Sequence, residues 1–245
     1  MSIALVTGAS KGMGLEWCRQ LAEAGYEVIL TARNPTQAAE AAASLQSEGY
    51  TIHPRQLDVC NEAENAALAQ WVMERFGKLD LLINNAGINS FTRAKGDENL
   101  KLKNLTIEHL DKQEVFALMD INAISPILLA NHLRPAFAAA KKPVIINIGS
   151  WLGSVSIKNT GGNYTYAVSK SALNMMNRAF ANDVRDENIV SVVVNPGWVQ
   201  TDMGGQKAQF TSQEAVANMI ANVVNNVTIA DSGRFLNYDG SDHPW

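Results

Sequence analysis

Apolar residues along the chain switch between two patterns, continuous short runs and recurrences every three or four positions. Ile3 to Thr7 (IALVT) is a continuous run of strand formers that stops at Gly8, after which Met13, Trp17 and Leu21 recur at helical spacing. The pattern then repeats. Tyr26 to Thr31 predicts a second strand, with Asn34 as N-cap and Pro35 as first position of an Ala-rich helix that Gly49 ends. Thr51 to Leu57 predicts a third strand; Asn61 with Glu64 predicts a capping box, and Leu68, Val72 and Phe76 mark one face of a helix closed by Gly77. Further strands are expected at Leu79 to Ile83, Val144 to Ile148, Ile189 to Val194 and Arg234 to Leu236, with helices near 112–140, 165–185 and 212–225.

The strand runs are apolar throughout instead of alternating, which suits strands covered by helices on both faces. The expected fold is therefore a doubly wound α/β domain, a parallel sheet of about seven strands flanked by helices. No Pro/Gly/Ser-rich linker breaks the composition, so residues 1–245 read as a single domain. The aperiodic stretch is 89–111, where Arg93, Lys95, Asp97, Glu98, Lys101 and Lys103 mix with Gly96; it predicts an irregular, solvated insertion.

Composition narrows the function classes. With 47% apolar side chains in 245 residues the chain can bury one substantial core, which excludes disorder for most of it. Twenty Lys plus Arg against 24 Asp plus Glu leave a net charge of −4, without the basic excess a nucleic-acid binder needs. Cys18 and Cys60 cannot make a disulfide framework. No uninterrupted apolar run approaches the roughly 18 residues that span a bilayer, and a strand beginning at Ile3 leaves no room for a signal peptide. A cytoplasmic protein without membrane or nucleic-acid partners is expected. His53, His109, His132 and His243 lack metal-ligand spacing, so no metal is expected.

Between the first strand and helix lies Thr7-Gly8-Ala9-Ser10-Lys11-Gly12-Met13-Gly14. Three glycines there permit a sharp turn, close approach of the backbone to a diphosphate and tight packing, with a helix N-terminus facing the anion. An acidic residue ending the second strand would accept from a free ribose 2′-hydroxyl; this chain has Ala32-Arg33 instead. Arg33 can pair with a 2′-phosphate in forked geometry and Lys11 supplies a second cation, so NADP(H) is preferred over NAD(H).

Tyr166-Ala167-Val168-Ser169-Lys170 places a phenol and an ammonium four residues apart on one face of a helix. An adjacent ammonium is expected to lower the phenol pKa by roughly 2–3 units, bringing proton exchange toward neutral pH. Ser150 follows a strand at the carboxyl edge, where open α/β sheets bind ligands, so its hydroxyl can reach a carbonyl oxygen beside the phenol. Hydrolysis with Ser150 as nucleophile lacks both a placed His and a nucleophile-elbow sequence. Tyr164 faces elsewhere on the helix and reads as packing or pocket wall.

Together these residues resemble the short-chain dehydrogenase/reductase family. The glycine loop, Asn84-Asn85-Ala86-Gly87, Asn122, Ser150, the YAVSK segment and Pro196-Gly197 with Thr201 follow that family's order across nearly the whole chain. The resemblance implies a Rossmann fold with Tyr166 as proton donor. Lys170 lowers the donor's pKa and holds the nicotinamide ribose, Ser150 orients the carbonyl, and Asn122 anchors a water relay to Lys170. It also implies that Gly8, Ser10, Lys11, Gly12, Met13 and Gly14 cradle the cofactor. Asp58 and Val59 meet adenine, Asn85, Ala86 and Gly87 line the cofactor, and Pro196, Gly197, Trp198, Val199 and Thr201 hold the nicotinamide end. The TAR ending of the second strand, PGWVQTDMGG at 196–205 and the closing stretch from Phe235 are most similar to carbonyl reductases related to sniffer and C-factor.

Trp151, Trp198, Met203 and Phe210 are expected around the substrate, an apolar carbonyl compound, an aldehyde or ketone. Reduction of a 3-oxoacyl thioester on a carrier protein, and non-catalytic sensing of NADP(H), remain as alternatives; a homo-oligomer is compatible with the chain.

Overall fold

The structure, a computed structural model, describes residues 1–90 and 106–245. Among them are strands β1 (Ser2–Val6), β2 (Tyr26–Ala32), β3 (Ile52–Gln56), β4 (Leu81–Asn84), β5 (Val144–Ile148), β6 (Val190–Asn195) and β7 (Phe235–Asn237). They form one sheet in the order β3-β2-β1-β4-β5-β6-β7, every pair parallel. Val6 lies between Leu30 and Ile83, so β1 is the strand from which the order runs outward both ways. At that reversal of strand order, open α/β sheets place a crevice at the carboxyl ends of the strands.

The helices among the described residues are α1 (Gly12–Glu23), α2 (Pro35–Ser47), α3 (Glu62–Phe76), α4 (Lys112–Met119), α5 (Ser125–His132), α6 (Arg134–Ala138), α7 (Tyr164–Asp183) and α8 (Ser212–Met219). Successive strand residues point to opposite faces, so the uninterrupted apolar runs feed two cores. Val6, Leu30, Ile83 and Ile146 pack with Trp17, Leu21, Leu45 and Met219. Leu5, Ile29, Leu82 and Ile145 pack with Leu68, Val72, Leu129, Phe137 and Phe180.

Boundaries follow the pattern closely, with physical reasons where they differ. β4 starts at Leu81, since the Leu79 N–H leaves the sheet to bond Ala136 O at 2.9 Å. Asn34 caps α2 through the N–H groups of Thr36 and Gln37, and Gly77 ends α3 at φ 69. The capping box expected at Asn61 is only half formed. Asn61 accepts from Ala63 and Glu64, but the Glu64 carboxylate accepts instead from the Asp58 N–H at 2.7 Å, which pins the start of the β3–α3 loop.

A π-helical turn, Asp120–Ile124, joins α4 and α5 into one helix over Lys112–His132 with mean hydropathy 1.3. By length and composition this helix could cross a membrane, a stretch that the expectation from uninterrupted apolar runs overlooked because Glu114 and Asp120 interrupt it. In the fold it packs against α3 and α7 and buries Leu118, Asn122, Ala123 and Leu129. Of the expected insertion at 89–111, Ser90 is buried, Ile107–His109 form a single 3-10 turn, and Asp111 caps α4. Its charged middle, Arg93, Lys95, Asp97, Glu98, Lys101 and Lys103, lies outside the described residues.

Candidate active site

The crevice is built first by β1 and its loop. Gly8 turns at φ 63, and a Cβ there would stand 2.8 Å from Ala86 Cα; a Cβ on Gly14 would stand 2.4 Å from Gly8 O. Neither contact is tolerable, so both positions require glycine. Thr7 Oγ1 accepts from the N–H groups of Asn85 and Ala86, and Asn85 Nδ2 donates to the carbonyls of Thr7 and Gly8. The Asn85-Ala86-Gly87 segment after β4 is thereby laced to the glycine loop. Lys11, the N-cap of α1, supplies no side-chain cap and the first turn holds no acidic residue. The amide groups opening this helix are left to a ligand, as an anion-binding helix N-terminus requires.

A cleft of about 1930 Å³ continues from this loop along the carboxyl edge of the sheet. Gly8, Ser10, Lys11, Gly12, Met13 and Gly14 line it together with Arg33, Asp58, Val59, Asn85, Ala86 and Gly87. Ser150, Tyr166, Lys170, Pro196, Gly197, Trp198, Val199 and Thr201 line the same space, with Trp151 and Met203. Residues spread from position 8 to position 203 thus share one cavity.

Two expected residues do not reach it. Phe210 packs edge-on against Tyr238 at 4.8 Å and lies behind Gly197, where a Cβ would meet its ring at 2.9 Å. Its backbone pairs with Trp198 and Gln200, so Phe210 supports the 197–204 loop from behind instead of facing a substrate. Asn122, 1% exposed in the π turn, bonds both backbone groups of Ile88 and the Ser169 hydroxyl. Its side chain holds the Gly87–Ile88 wall, 3.2 Å from where a Gly87 Cβ would stand. Tyr164 is partly buried and outside the cleft lining.

Lys11 also departs from expectation. Its ammonium pairs with Asp202 in the 196–205 stretch, across the cleft, and both side chains are largely exposed. Arg33 is exposed and makes no ion pair among the described residues, so it is the unengaged cation at the end of β2.

The reactive group sits on α7 against the end of β5. Lys170 is 5% exposed and donates to Ile148 O at 2.7 Å, while its Nζ stands 5.7 Å from the centre of the Tyr166 ring. Burial pushes the Tyr166 phenol up to about 12, with a hydrogen bond to Ser150 acting in the other direction. Burial pulls the Lys170 ammonium down to about 8. The expected lowering of the phenol by its neighbouring ammonium is therefore overturned in the protein alone: desolvation outweighs an amine whose nearest oxygen belongs to Ile148. At pH 7 the arrangement holds a protonated phenol beside a charged amine, the state a proton donor needs.

Lys170 imposes a pH dependence on folding. Its proton is held less tightly in the folded chain than at the ordinary 10.5, so between pH 8 and 10.5 the unfolded chain carries more protons and stability rises with pH. Lys170→Met cannot titrate and is expected to remove this rise, about 3 kcal/mol at full extent. Urea denaturation of both proteins at pH 7.5 and 10 measures it; an equal rise in the variant would assign the effect to other groups.

Several residues that build the cleft escaped the sequence. Asn195 Oδ1 accepts from Trp151 N at 3.1 Å and Gly197 N at 3.3 Å, joining the loops after β5 and β6. Ser171 and Asn174 both donate to Gly153 O, clamping the 150–153 segment onto α7. Ser90, Asn163 and Thr165 line the cleft itself. The Gly161-Gly162-Asn163 turn signal ahead of α7 was the trace by which Asn163 could have been found.

Sheet order, glycine loop and carboxyl-edge cleft define a Rossmann-type α/β protein with a nucleotide-shaped site beside a Ser/Tyr/Lys group. The chain belongs to the short chain dehydrogenase family, whose model matches residues 2–212. It resembles the NADPH-bound carbonyl reductase from chicken fatty liver with 32% identity and a TM-score of 0.86, each chain covered over 100% of its length. It resembles carbonyl reductase Sniffer of D. melanogaster with 28% identity and a TM-score of 0.87, over 100% of this chain and 99% of that one. C-signal of Myxococcus xanthus is 35% identical over 169 residues, covering 69% of this chain and 94% of that protein.

Proposed function

We propose that this protein is an NADPH-dependent reductase that converts a neutral aldehyde or ketone to an alcohol. One observation carries the reading: the glycine loop, Arg33, and the Ser150, Tyr166 and Lys170 side chains line a single continuous cleft. The residues fit a dinucleotide phosphate. The uncapped N-terminus of α1 suits a diphosphate, the close backbone packing at Gly8 and Gly14 suits its approach, and the unengaged guanidinium of Arg33 suits a 2′-phosphate. The chicken fatty liver relative is an NADPH-bound carbonyl reductase, which supports both halves of the proposal.

Bound NADPH supplies the hydride. The protein's own part is electrostatic and positional. Ser150, which lines the cleft beside Tyr166 and lowers its phenol pKa, would orient the oxygen that gains charge, and Tyr166 would donate the proton that neutralises it. Lys170, anchored by Ile148 O, keeps a positive charge beside the phenol and a donor toward the ribose. Asn122 acts indirectly, fixing the Ile88 wall and bonding Ser169 one turn from Tyr166. Trp198, its indole bonded to Gly204 O at 2.8 Å, gives the substrate end a fixed aromatic lip.

Consumption of NADPH at 340 nm against a panel of aldehydes, ketones and quinones, with and without an acyl-carrier thioester, tests the reading. Tight NADPH binding with no consumption would replace reduction by a cofactor-sensing role; turnover of the thioester alone would change the substrate class. Cofactor choice has its own test. Because Lys11 is engaged by Asp202, discrimination falls on Arg33. Arg33→Asp is expected to weaken NADPH binding about 30-fold and NADH binding hardly at all, whereas Lys11→Ala costs NADPH only about threefold. Calorimetric titration of both cofactors measures this; equal losses for the two would remove the 2′-phosphate argument.

A further inference from the structure

Among the described residues, three helices begin at an Asn or Asp that caps in the ordinary way. Asn34, Asn61 and Asp111 have extended backbones, at φ −91, −96 and −113, and their side chains accept from N–H groups of the first turn. Asn163, the N-cap of α7, does neither. Its backbone is left-handed, at φ 53 and ψ 36, and its side chain makes no cap bond. A non-glycine residue in this region carries a strain cost that the surrounding structure must sustain, and such residues cluster at ligand sites. The extended backbone and capping side chain that stabilise the other helix starts are forgone here.

The position makes the exception informative. Asn163 O accepts from Ala167 N at 2.9 Å, so the residue stands one turn before Tyr166, and it lines the cleft. Its amide makes no hydrogen bond among the described residues. Close by in the chain, Thr165 pairs its hydroxyl with that of Ser90 at 3.3 Å, and both line the same space. Trp151, Trp198 and Met203, 48%, 52% and 40% exposed, supply apolar surface. The charged side chains that line the cleft are otherwise occupied or distant from this end. Arg33, Glu40 and Asp58 follow β2 and β3, Lys11 pairs with Asp202, and Lys170 is bonded to Ile148 O.

We propose that Asn163 is a specificity-determining residue whose side-chain amide hydrogen-bonds a hydroxyl on the substrate, so that the preferred substrates are neutral aryl or alicyclic ketones carrying a hydroxyl a few bonds from the carbonyl. This rests on the carbonyl reduction proposed above. A partly buried amide that has no hydrogen-bond partner among the described residues loses its water when a substrate covers it, so it favours a ligand whose hydroxyl replaces that water over the analogue that lacks the hydroxyl.

The test compares propiophenone with 3-hydroxypropiophenone. Wild-type protein should prefer the hydroxyketone in kcat/KM. Asn163→Gly adopts the left-handed backbone without strain while removing the amide, and is expected to lower that preference about tenfold. A preference unchanged in Asn163→Gly overturns the assignment. The ratio of the two dissociation constants, read from tryptophan fluorescence with NADPH present, should fall by a similar factor and does not depend on turnover. A protein that binds both ketones but consumes no NADPH therefore refutes the reduction alone, while the binding ratio still decides the role of Asn163.

Discussion

Tyr166→Phe is expected to lower kcat for carbonyl reduction about a thousandfold, roughly 4 kcal/mol in the barrier, while NADPH affinity stays within threefold of wild type. The substitution removes one oxygen and keeps the ring that packs beside Lys170, 5.7 Å from its Nζ, so cleft shape is preserved. What is lost is the protonated phenol that burial holds up to about 12 and that Ser150 aligns through a hydrogen bond. Ser150 and Lys170 remain, but the Ser150 hydroxyl, which accepts from Leu152 N, serves to orient the oxygen and the Lys170 amine is anchored to Ile148 O, so neither replaces the proton the phenol gives. Steady-state rates with any carbonyl compound the wild type reduces, together with calorimetric NADPH titration, measure both halves. Retained turnover would overturn Tyr166 as proton donor; lost cofactor binding would show that the variant damages the cleft itself.

The second large effect lies in the interior. Asn147 occupies the middle of β5, fully buried among valines and isoleucines, and is the hub of a polar network. Its amide nitrogen donates to Asn177 Oδ1 at 2.9 Å and to Ser191 Oγ at 3.3 Å, and its oxygen accepts from Asn84 Nδ2 at 2.8 Å. Ser191 donates in turn to Asn177 Oδ1, and Asn84 to Pro126 O. The network therefore ties β4, β5 and β6 to α5 and α7, the elements that carry the Asn85 segment, Ser150 and Tyr166. Asn147→Val improves strand propensity yet strips partners from Asn84, Asn177 and Ser191 at once. The expected cost is about 4 kcal/mol, from unsatisfied buried groups that cannot reach water. With about 2–4 °C per kcal/mol for a chain of this size, thermal unfolding should shift down by roughly 10 °C. A shift under about 2 °C would mean that the remaining bonds rearrange and that the network contributes little.

Neither Asn147 nor Asn195 could be singled out from the sequence, since an Asn within an apolar run says nothing about which strand or helix will face it. The glycine loop was legible for the opposite reason: its function is local. A strand, a turn with Gly8 and Gly14 at close-contact positions, and a helix with an open N-terminus lie in consecutive residues, so spacing alone expresses the chemistry. The same holds for Tyr166 and Lys170, one helical turn apart. The ion pair of Lys11 and the placement of Phe210 could not be read because their partners are remote in the chain. Asp202 lies far from Lys11 in sequence, and the side of the 197–204 loop that Phe210 supports depends on Tyr238. The phenol's acidity could not be read either, because the charge that would lower it and the burial that raises it come from different elements.

By itself the sequence determined the alternation of strand and helix, the parallel sheet, the family pattern of its motifs and many, though not all, of the residues that line the crevice. These follow from periodicities of two and 3.6 residues and from side-chain chemistry expressed within a few positions. Tertiary structure alone decided that Asn122 and Phe210 stand behind the cleft, that Lys11 pairs with Asp202, that the Asn163 amide makes no hydrogen bond among the described residues, and that desolvation outweighs the ammonium at Tyr166. Solvent exclusion and long-range pairing are properties of the closed packing, and no stretch of chain carries them before the sheet and its helices have come together.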